Sequence, residues 1–217
     1  MYDRGRIMSE EERLQIMDWA CAIFFTMKYL GNRRLEYTLS PLDSSIPTVI
    51  WKIKQRLVSA EKLRGFVQEP IVKDILYIIL PKGFIHRHKD PNMGEYIHSR
   101  FNIFVNVPKE GAKTYYGSQL VDARAGHYTM CKSGLENHWS DPIGGTEPRV
   151  SLSFGFFIPR ETVIKMYRQP LEKEEGGAPR ALEVGLYYAY RMFWELGFKS
   201  FYTQHPALEL RQILNML

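Results

Sequence analysis

Residues 149–158 read Arg-Val-Ser-Leu-Ser-Phe-Gly-Phe-Phe-Ile, and their alternation decides the fold class. In an extended chain successive side chains point to opposite faces. Arg149, Ser151, Ser153 and Gly155 therefore share one face, and Val150, Leu152, Phe154 and Phe156 share the other. The apolar face is one that a sheet buries against helices; the other can hold a polar ligand. Four further runs have strand character: 75–80, which is continuously apolar, then 100–107, 115–121 and 127–132. Gly and Pro punctuate them at 81–83, 108–111, Gly126, Gly144-Gly145 and Pro159. Short strands separated by regular turns predict an all-β sandwich or barrel.

Helices flank this β region. Ser9-x-x-Glu12 has the form of a capping box, which opens a helix. Leu14, Met17, Cys21, Phe24, Phe25 and Leu30 follow at roughly helical spacing, with Gly31 as the expected C-terminal cap. A second helix is predicted from Pro47 to about Ala60, with Val49, Ile50, Ile53 and Leu57 on one face. Residues 172–179 form a charged, Gly-rich linker. Residues 180–197, heavy in aromatics such as Tyr187, Tyr190 and Trp194, and 206–217 read as two more helices. The expected organisation is a single domain over 1–217: a helical N-terminal part at 9–60, a β core at about 70–160 and a helical C-terminal extension at 178–217.

Hydrophobic residues at 45 % and charged residues at 24 % describe a globular chain, neither disordered nor membranous. The longest apolar stretch, 19–30, is interrupted by Thr26 and Lys28 and is too short to span a bilayer. The net charge of +5 is scattered, so it only weakly favours acidic partners, and no segment reads as a nucleic-acid surface. The two cysteines, Cys21 and Cys131, read as buried reduced thiols. With a charged N-terminal segment that has no apolar signal region, they point to the cytoplasm. The sequence contains no phosphate-cradling glycine loop, zinc-type cysteine cluster or nucleophilic triad.

Chemistry concentrates in Gly83-Phe84-Ile85-His86-Arg87-His88-Lys89-Asp90. On an extended chain His86, His88 and Asp90 share a face. Two histidines and one carboxylate on one side of a metal leave three positions open, the arrangement of non-haem Fe(II) oxygenases. The missing ligand is best supplied by His138, 48 residues after Asp90 (138 − 90). His86 is the rival ligand; His88 is preferred because it completes His-x-Asp. Arg149 comes 11 residues after His138 (149 − 138), and its guanidinium fork with a nearby hydroxyl suits a carboxylate. The bland reading of Arg149 is a surface arginine paired with Glu147.

Gly83-x-Ile85-x-x-His88-x-Asp90, a histidine about fifty residues on and Arg149-x-Ser151 together resemble the 2-oxoglutarate/Fe(II)-dependent oxygenase superfamily. Within it the chain most resembles the aspartyl/asparaginyl β-hydroxylase-like group, which includes free-proline hydroxylases. The strand 100–108, Arg-Phe-Asn-Ile-Phe-Val-Asn-Val-Pro, is similar to that group's, which carries Arg-x-His there; this chain has Asn102 at the histidine position. The resemblance covers residues 70–160 or so.

The resemblance implies a double-stranded β-helix, or jelly roll, with N-terminal helices on its larger sheet and a helical C-terminal extension. It implies Fe(II) held by His88, Asp90 and His138 in the mouth of the roll, and 2-oxoglutarate held by Arg149 with Ser151, Arg100 and Asn102 lining its pocket. Dioxygen would be consumed, succinate and carbon dioxide released, and a carbon of an amino acid hydroxylated, in a peptide or protein or in the free form. His86, Arg87, Arg100 and Asn102 would give the mouth a polar, cationic character suited to a carboxylate or amide. The aromatic C-terminal helix is too apolar to stand solvated, so a homodimer is expected. No membrane or nucleic-acid partner is expected. Two alternatives stand beside this: a cupin-type metalloenzyme that does not use 2-oxoglutarate, which leaves Arg149-x-Ser151 unexplained, and a non-catalytic jelly-roll binding protein, which leaves the ligand set unexplained.

Overall fold

Twelve strands and three helices occur in the order β1 (Asp3–Arg6), α1 (Glu10–Ile23), β2 (Lys28–Tyr29), β3 (Arg34–Thr38), α2 (Thr48–Ala60), β4 (Val67–Gln68), β5 (Ile75–Ile79), β6 (Ile85–His88), β7 (Tyr96–Asn106), β8 (Thr114–Tyr116), β9 (Gln119–Val121), β10 (His127–Cys131), β11 (His138–Ser140), β12 (Arg149–Pro159) and α3 (Arg160–Tyr167). The structure, a computed structural model, describes residues 2–69 and 73–167, and these counts refer to them. The major sheet has the order β1-β10-β7-β12-β5-β3-β2, with β4 also paired to β12; the minor sheet has the order β6-β11-β8-β9. From β5 onward the chain shuttles between the sheets: β5, β7, β10 and β12 lie in the major sheet, and β6, β8, β9 and β11 in the minor. That winding is the double-stranded β-helix.

The two long strands β7 and β12 form the centre of the molecule, and their alternation gives the major sheet two unlike faces. Phe101, Ile103, Val105, Val150, Leu152, Phe154 and Phe156 share one apolar cluster with Ile16, Ala20, Ile50, Ile53 and Leu57 of the two N-terminal helices. The opposite face, with Arg100, Asn102, Arg149 and Ser153, turns into the roll. The helix α2 buries the four residues its spacing predicts, Val49, Ile50, Ile53 and Leu57.

The first helix departs from expectation. Its capping box forms, Ser9 Oγ accepting from the Glu12 amide and the Glu12 carboxylate accepting from the Ser9 amide. It ends at Ile23 and a short 3₁₀ turn, however, and not at Gly31. Its fully buried residues are Ile16 and Ala20, while Leu14 and Cys21 are exposed and Phe25 is 95 % exposed. Gly31, at φ +85°, instead makes the turn between β2 and β3, where Arg34 N–H donates to Gly31 O. The reason is tertiary: β3 pairs with β5 along its whole length, so the chain after residue 27 is taken by the sheet. The single run 115–121 likewise splits into the hairpin β8–β9, with Gly117 at φ +60° in the turn. The expected linker and helices at 172–217, and the homodimer that rested on them, lie outside the described residues. No helix among the described residues is long and apolar enough to cross a membrane.

The helix layer gives a direct stability test. Leu57 is wholly buried, so Leu57→Ala should cost about 2–5 kcal/mol in denaturant unfolding. Phe25→Ala should cost less than about 0.5 kcal/mol, because Phe25 is 95 % exposed. Equal losses in the two variants would contradict this orientation of the helices.

Candidate metal centre

Strands β6 and β11 pair antiparallel with His138 opposite His88. Asp90 follows just beyond β6, fixed by its amide donating to Ser133 O at 2.8 Å. One donor atom from each of His88, Asp90 and His138 lies within 4.8 Å of the other two. His88 Nε2 is 3.7 Å from Asp90 Oδ1, and His138 Nε2 is 3.9 Å from Asp90 Oδ2. Donors sharing one ion at bonds of about 2 Å sit roughly 3–4 Å apart, so the cluster fits a divalent cation. The two imidazoles are 4.1 Å apart at their centroids.

The backbone selects the tautomers. His88 Nδ1 lies 2.7 Å from His86 O, and His138 Nδ1 lies 3.5 Å from Glu136 O. A carbonyl accepts only, so each Nδ1 carries the proton and each Nε2 presents a lone pair to the cluster. Burial pushes the His138 pKa down to about 4 and so keeps the ring neutral. Burial alone would raise the Asp90 pKa, but the fields of His98, His138, Arg100 and His88 outweigh it and hold the carboxyl below its usual range.

A cavity of about 170 Å³ opens beside these residues and is shared with Tyr77, Thr114, Tyr116 and Arg149. Arg149 is 1 % exposed. Its guanidinium donates from one nitrogen to Thr114 Oγ1 at 2.7 Å, while Nε and Nη2 have no partner among the described residues. Phe104 lies under it, with Cζ 5.9 Å from the ring centroid. Burial lowers the Arg149 pKa, against the influence of Tyr77 and Tyr116. An arginine remains protonated in any such setting. The cavity wall therefore presents a buried cation with one unsatisfied edge, and the pairing with Glu147 does not occur.

The other anticipated residues are placed as follows. Arg100 and Asn102 line the cavity, but their polar atoms are committed within its wall. Arg100 donates to Ser153 Oγ at 2.9 Å and to Lys73 O at 2.9 Å, and its Nη1 is 3.3 Å from Glu69 Oε2. Asn102 accepts from Ser153 at 2.7 Å and donates to Tyr116 at 2.8 Å. Ser151 is buried with its hydroxyl unpartnered, and of the β12 serines it is Ser153 that lines the cavity. His86 does not share the face of His88: it is exposed and packs edge-on against Phe84. The cause is a bulge, since His138 pairs with His88 but Ser140 with Ile85, which puts one extra residue into β6 and breaks its alternation. Arg87 lies outside the cavity, stacked over Trp139 at 4.9 Å, and Trp139 stacks in turn on Tyr115.

Beyond Tyr77, Thr114 and Tyr116, three further residues belong to the site without having been anticipated. Arg34 and Glu36 on β3 line the cavity, and neither side chain has a hydrogen-bond or ion-pair partner among the described residues. Burial raises the Glu36 pKa, opposed by Arg34, Arg100 and Lys28. The alternation Arg34-Leu35-Glu36-Tyr37-Thr38 was the available signal for this strand. The third is His98 on β7, 2 % exposed, its pKa pushed down to about 3 by burial.

No family model and no curated protein matches the sequence. Solved structures are similar in fold. A prolyl-4-hydroxylase from Pseudomonas putida superposes with a TM-score of 0.52 at 14 % identity, over 72 % of this chain and 91 % of that one. A prolyl hydroxylase from Trichoplax adhaerens, in complex with a peptide fragment of the hypoxia inducible factor oxygen degradation domain, gives 0.57 at 10 % identity, over 75 % and 85 %. HygX from Streptomyces hygroscopicus, with nickel and 2-oxoglutarate bound, gives 0.53 at 10 % identity, over 72 % and 82 %. The chain thus has the jelly-roll fold, with a His-Asp-His cluster and a buried arginine at one cavity.

The histidine shifts fix a pH dependence. From an ordinary 6.5, burial lowers His98 to about 3 and His138 to about 4. The unfolded chain takes up these protons first, so stability is full above about pH 6.5 and is lost as pH falls towards 4. The loss is on the order of 1.4 kcal/mol per pH unit for each group. Urea titrations of chelator-treated protein should show the midpoint falling between pH 7 and 5; a flat midpoint would contradict the burial of these rings.

Proposed function

We propose that this chain is an Fe(II)- and 2-oxoglutarate-dependent oxygenase that hydroxylates a carbon of an amino acid, in a peptide or protein or in the free form. The observation that carries the reading is the unsatisfied edge of Arg149 in the cavity that also holds the cluster of His88, Asp90 and His138. A buried guanidinium with free donors calls for a carboxylate, and two imidazoles with one carboxylate call for a metal that keeps positions open. A cofactor carrying both a carboxylate and a metal-chelating end satisfies the two demands together. Bound iron with 2-oxoglutarate supplies oxygen activation coupled to decarboxylation, giving succinate and carbon dioxide.

The chain's own part is binding, orientation and exclusion of water. His88 and His138 present Nε2, and Asp90 presents its carboxylate, to the iron. Arg149, oriented through Thr114, holds the distal carboxylate of 2-oxoglutarate, and Tyr77 and Tyr116 flank that end. Ser151, whose buried hydroxyl is unpartnered on the Arg149 face of β12, is the proposed hydroxyl contact, with Ser153 the β12 serine that lines the cavity itself. Arg100 and Asn102 stiffen the wall. A cupin-type reaction without 2-oxoglutarate would leave Arg149 without an anion, and a non-catalytic module would leave the cluster without a purpose.

Arg34 and Glu36 support an amino-acid or peptide substrate. They supply opposite charges on one strand face, and each is free to meet a carboxylate or an amine. The similar prolyl hydroxylases, one of them bound to a peptide, favour the same class. An affinity with the aspartyl/asparaginyl β-hydroxylase-like group remains part of the proposal. Two free cysteines suit a reducing, cytoplasmic setting.

The test is anaerobic reconstitution with Fe(II) and 2-oxoglutarate, then oxygen and a panel of amino acids and peptides. Succinate should appear with a gain of one oxygen on a panel member. Turnover coupled to a nucleobase or lipid, with none on the panel, would contradict the substrate class. His88→Ala and Asp90→Ala should each abolish stoichiometric Fe(II) binding while the fold persists; parental binding in either would contradict the ligand assignment. Arg149→Ala should raise the 2-oxoglutarate requirement roughly 10- to 100-fold, from the loss of about 1.5–3 kcal/mol of charged hydrogen bonding. Arg149→Lys should recover part of this, because an ammonium lacks the fork. An unchanged requirement in Arg149→Ala would move the carboxylate site elsewhere.

A further inference from the structure

His98 is a fully buried imidazole whose two nitrogens make no hydrogen bond among the described residues. Such a group is costly to bury, and a phenylalanine would pack there at less expense, since Phe157 already lies 5.3 Å away. What the ring faces is informative. Nδ1 is 3.5 Å from Asp90 Oδ2, and Nε2 is 4.0 Å from Glu69 Oε2. Glu69 in turn meets Arg100 Nη1 at 3.3 Å and accepts from the Lys73 amide at 2.9 Å. The imidazole, carried by β7, approaches the Asp90 carboxylate from the side of the major sheet.

The backbone holds this arrangement rigidly. His98 O accepts from Gly134 N at 2.9 Å and from Ser133 Oγ at 3.2 Å, while Ser133 O accepts from the Asp90 amide at 2.8 Å. Asn92 closes the node, accepting from the His98 amide at 3.0 Å and donating to Gly134 O at 2.8 Å. A side chain at residue 134 would strike the Asn92 side chain and displace it from this node. Asp90 and His98 are thus tied to one loop, and a shift of a few tenths of an ångström brings Nδ1 into hydrogen-bond range of Oδ2.

We propose that His98 is a positioning residue for the metal carboxylate: its Nδ1–H restrains Asp90 Oδ2, so that the carboxylate is held towards His88 and His138 before the metal arrives. This rests on the metal-site reading above. Carboxylates that ligate metals are themselves held by hydrogen bonds, and loss of such a partner weakens metal binding about 10- to 100-fold.

The test uses Mn(II) as the probe with the full-length protein, its affinity read by electron paramagnetic resonance, and metal-free unfolding read in parallel. His98→Phe should weaken Mn(II) binding about 10- to 100-fold while leaving metal-free stability unchanged or raised. His98→Asn, whose amide can reach the position of Nδ1, should bind within a few-fold of the parent, and His98→Gln, whose donor sits further out, should resemble His98→Phe. If His98→Phe does not fold, the Asn and Gln variants decide the matter, and equal Mn(II) affinities in those two would overturn the proposal. Unchanged affinity in His98→Phe, with Asp90→Ala still abolishing binding, would also overturn it. Failure of the unaltered protein to bind Mn(II) would instead overturn the metal-site reading on which it stands.

Discussion

A guanidinium buried to 1 % exposure, with one edge satisfied and the other open to a cavity, is the constraint on which the rest of this molecule depends. Taking such a charge out of water costs several kcal/mol unless a counter-charge repays it. Arg149 has no carboxylate partner among the described residues, and it has no route outward. Strand β12 is hydrogen-bonded on both sides, to β5 and β7, and Arg149 is registered opposite Ile79. Thr114, from the minor sheet, grips the one nitrogen it can reach. The apolar face of the same strand buries Val150, Leu152, Phe154 and Phe156 under the helices, so the energy that fixes the cation comes from the core on the other side.

The His-Asp-His cluster is built mainly by the opposite sheet. His88 and His138 face each other across the β6–β11 pair, and the bulge in β6 turns His86 and Arg87 away so that the two imidazoles meet Asp90 alone. A ligand that touched both the cluster and Arg149 would bridge the two sheets across the cavity. Such a ligand binds the folded state only and therefore stabilises it by mass action. On this account the metal-free protein holds a cluster of lone pairs and a cation without a counter-charge; a bound metal would satisfy the first, and a dicarboxylate chelating that metal would satisfy the second.

Much of this was legible from local pattern. The alternation of 149–158 defined β12 and its two faces, and the spacing at Val49, Ile50, Ile53 and Leu57 defined the buried face of α2, because in both cases the pattern is the cause of the packing. Where the cause lay elsewhere in the chain, the sequence was silent or misleading. The polar strand β1 and the short strand β11 exist only because a neighbour pairs with them, and β3 was missed although its alternation was present. His86 shared a face with His88 in the sequence pattern and was its rival as a ligand, and the bulge separates the two. Arg100 and Asn102 read as pocket residues and do line the pocket, yet their donors serve Ser153 and Tyr116. His98 carried no signal, since its partners Asp90 and Glu69 meet it only when β7 is laid against two loops.

The central claim is that one bound molecule spans the His-Asp-His cluster and Arg149. Anaerobic crystals grown with Fe(II) and 2-oxoglutarate, with data collected at the iron edge, test it most directly. The account predicts an anomalous peak among His88, Asp90 and His138, and 2-oxoglutarate reaching from that metal to the open edge of Arg149, its distal carboxylate on Nε and Nη2. Iron elsewhere, or a co-substrate carboxylate resting on any other residue while Arg149 keeps its open edge, would contradict it.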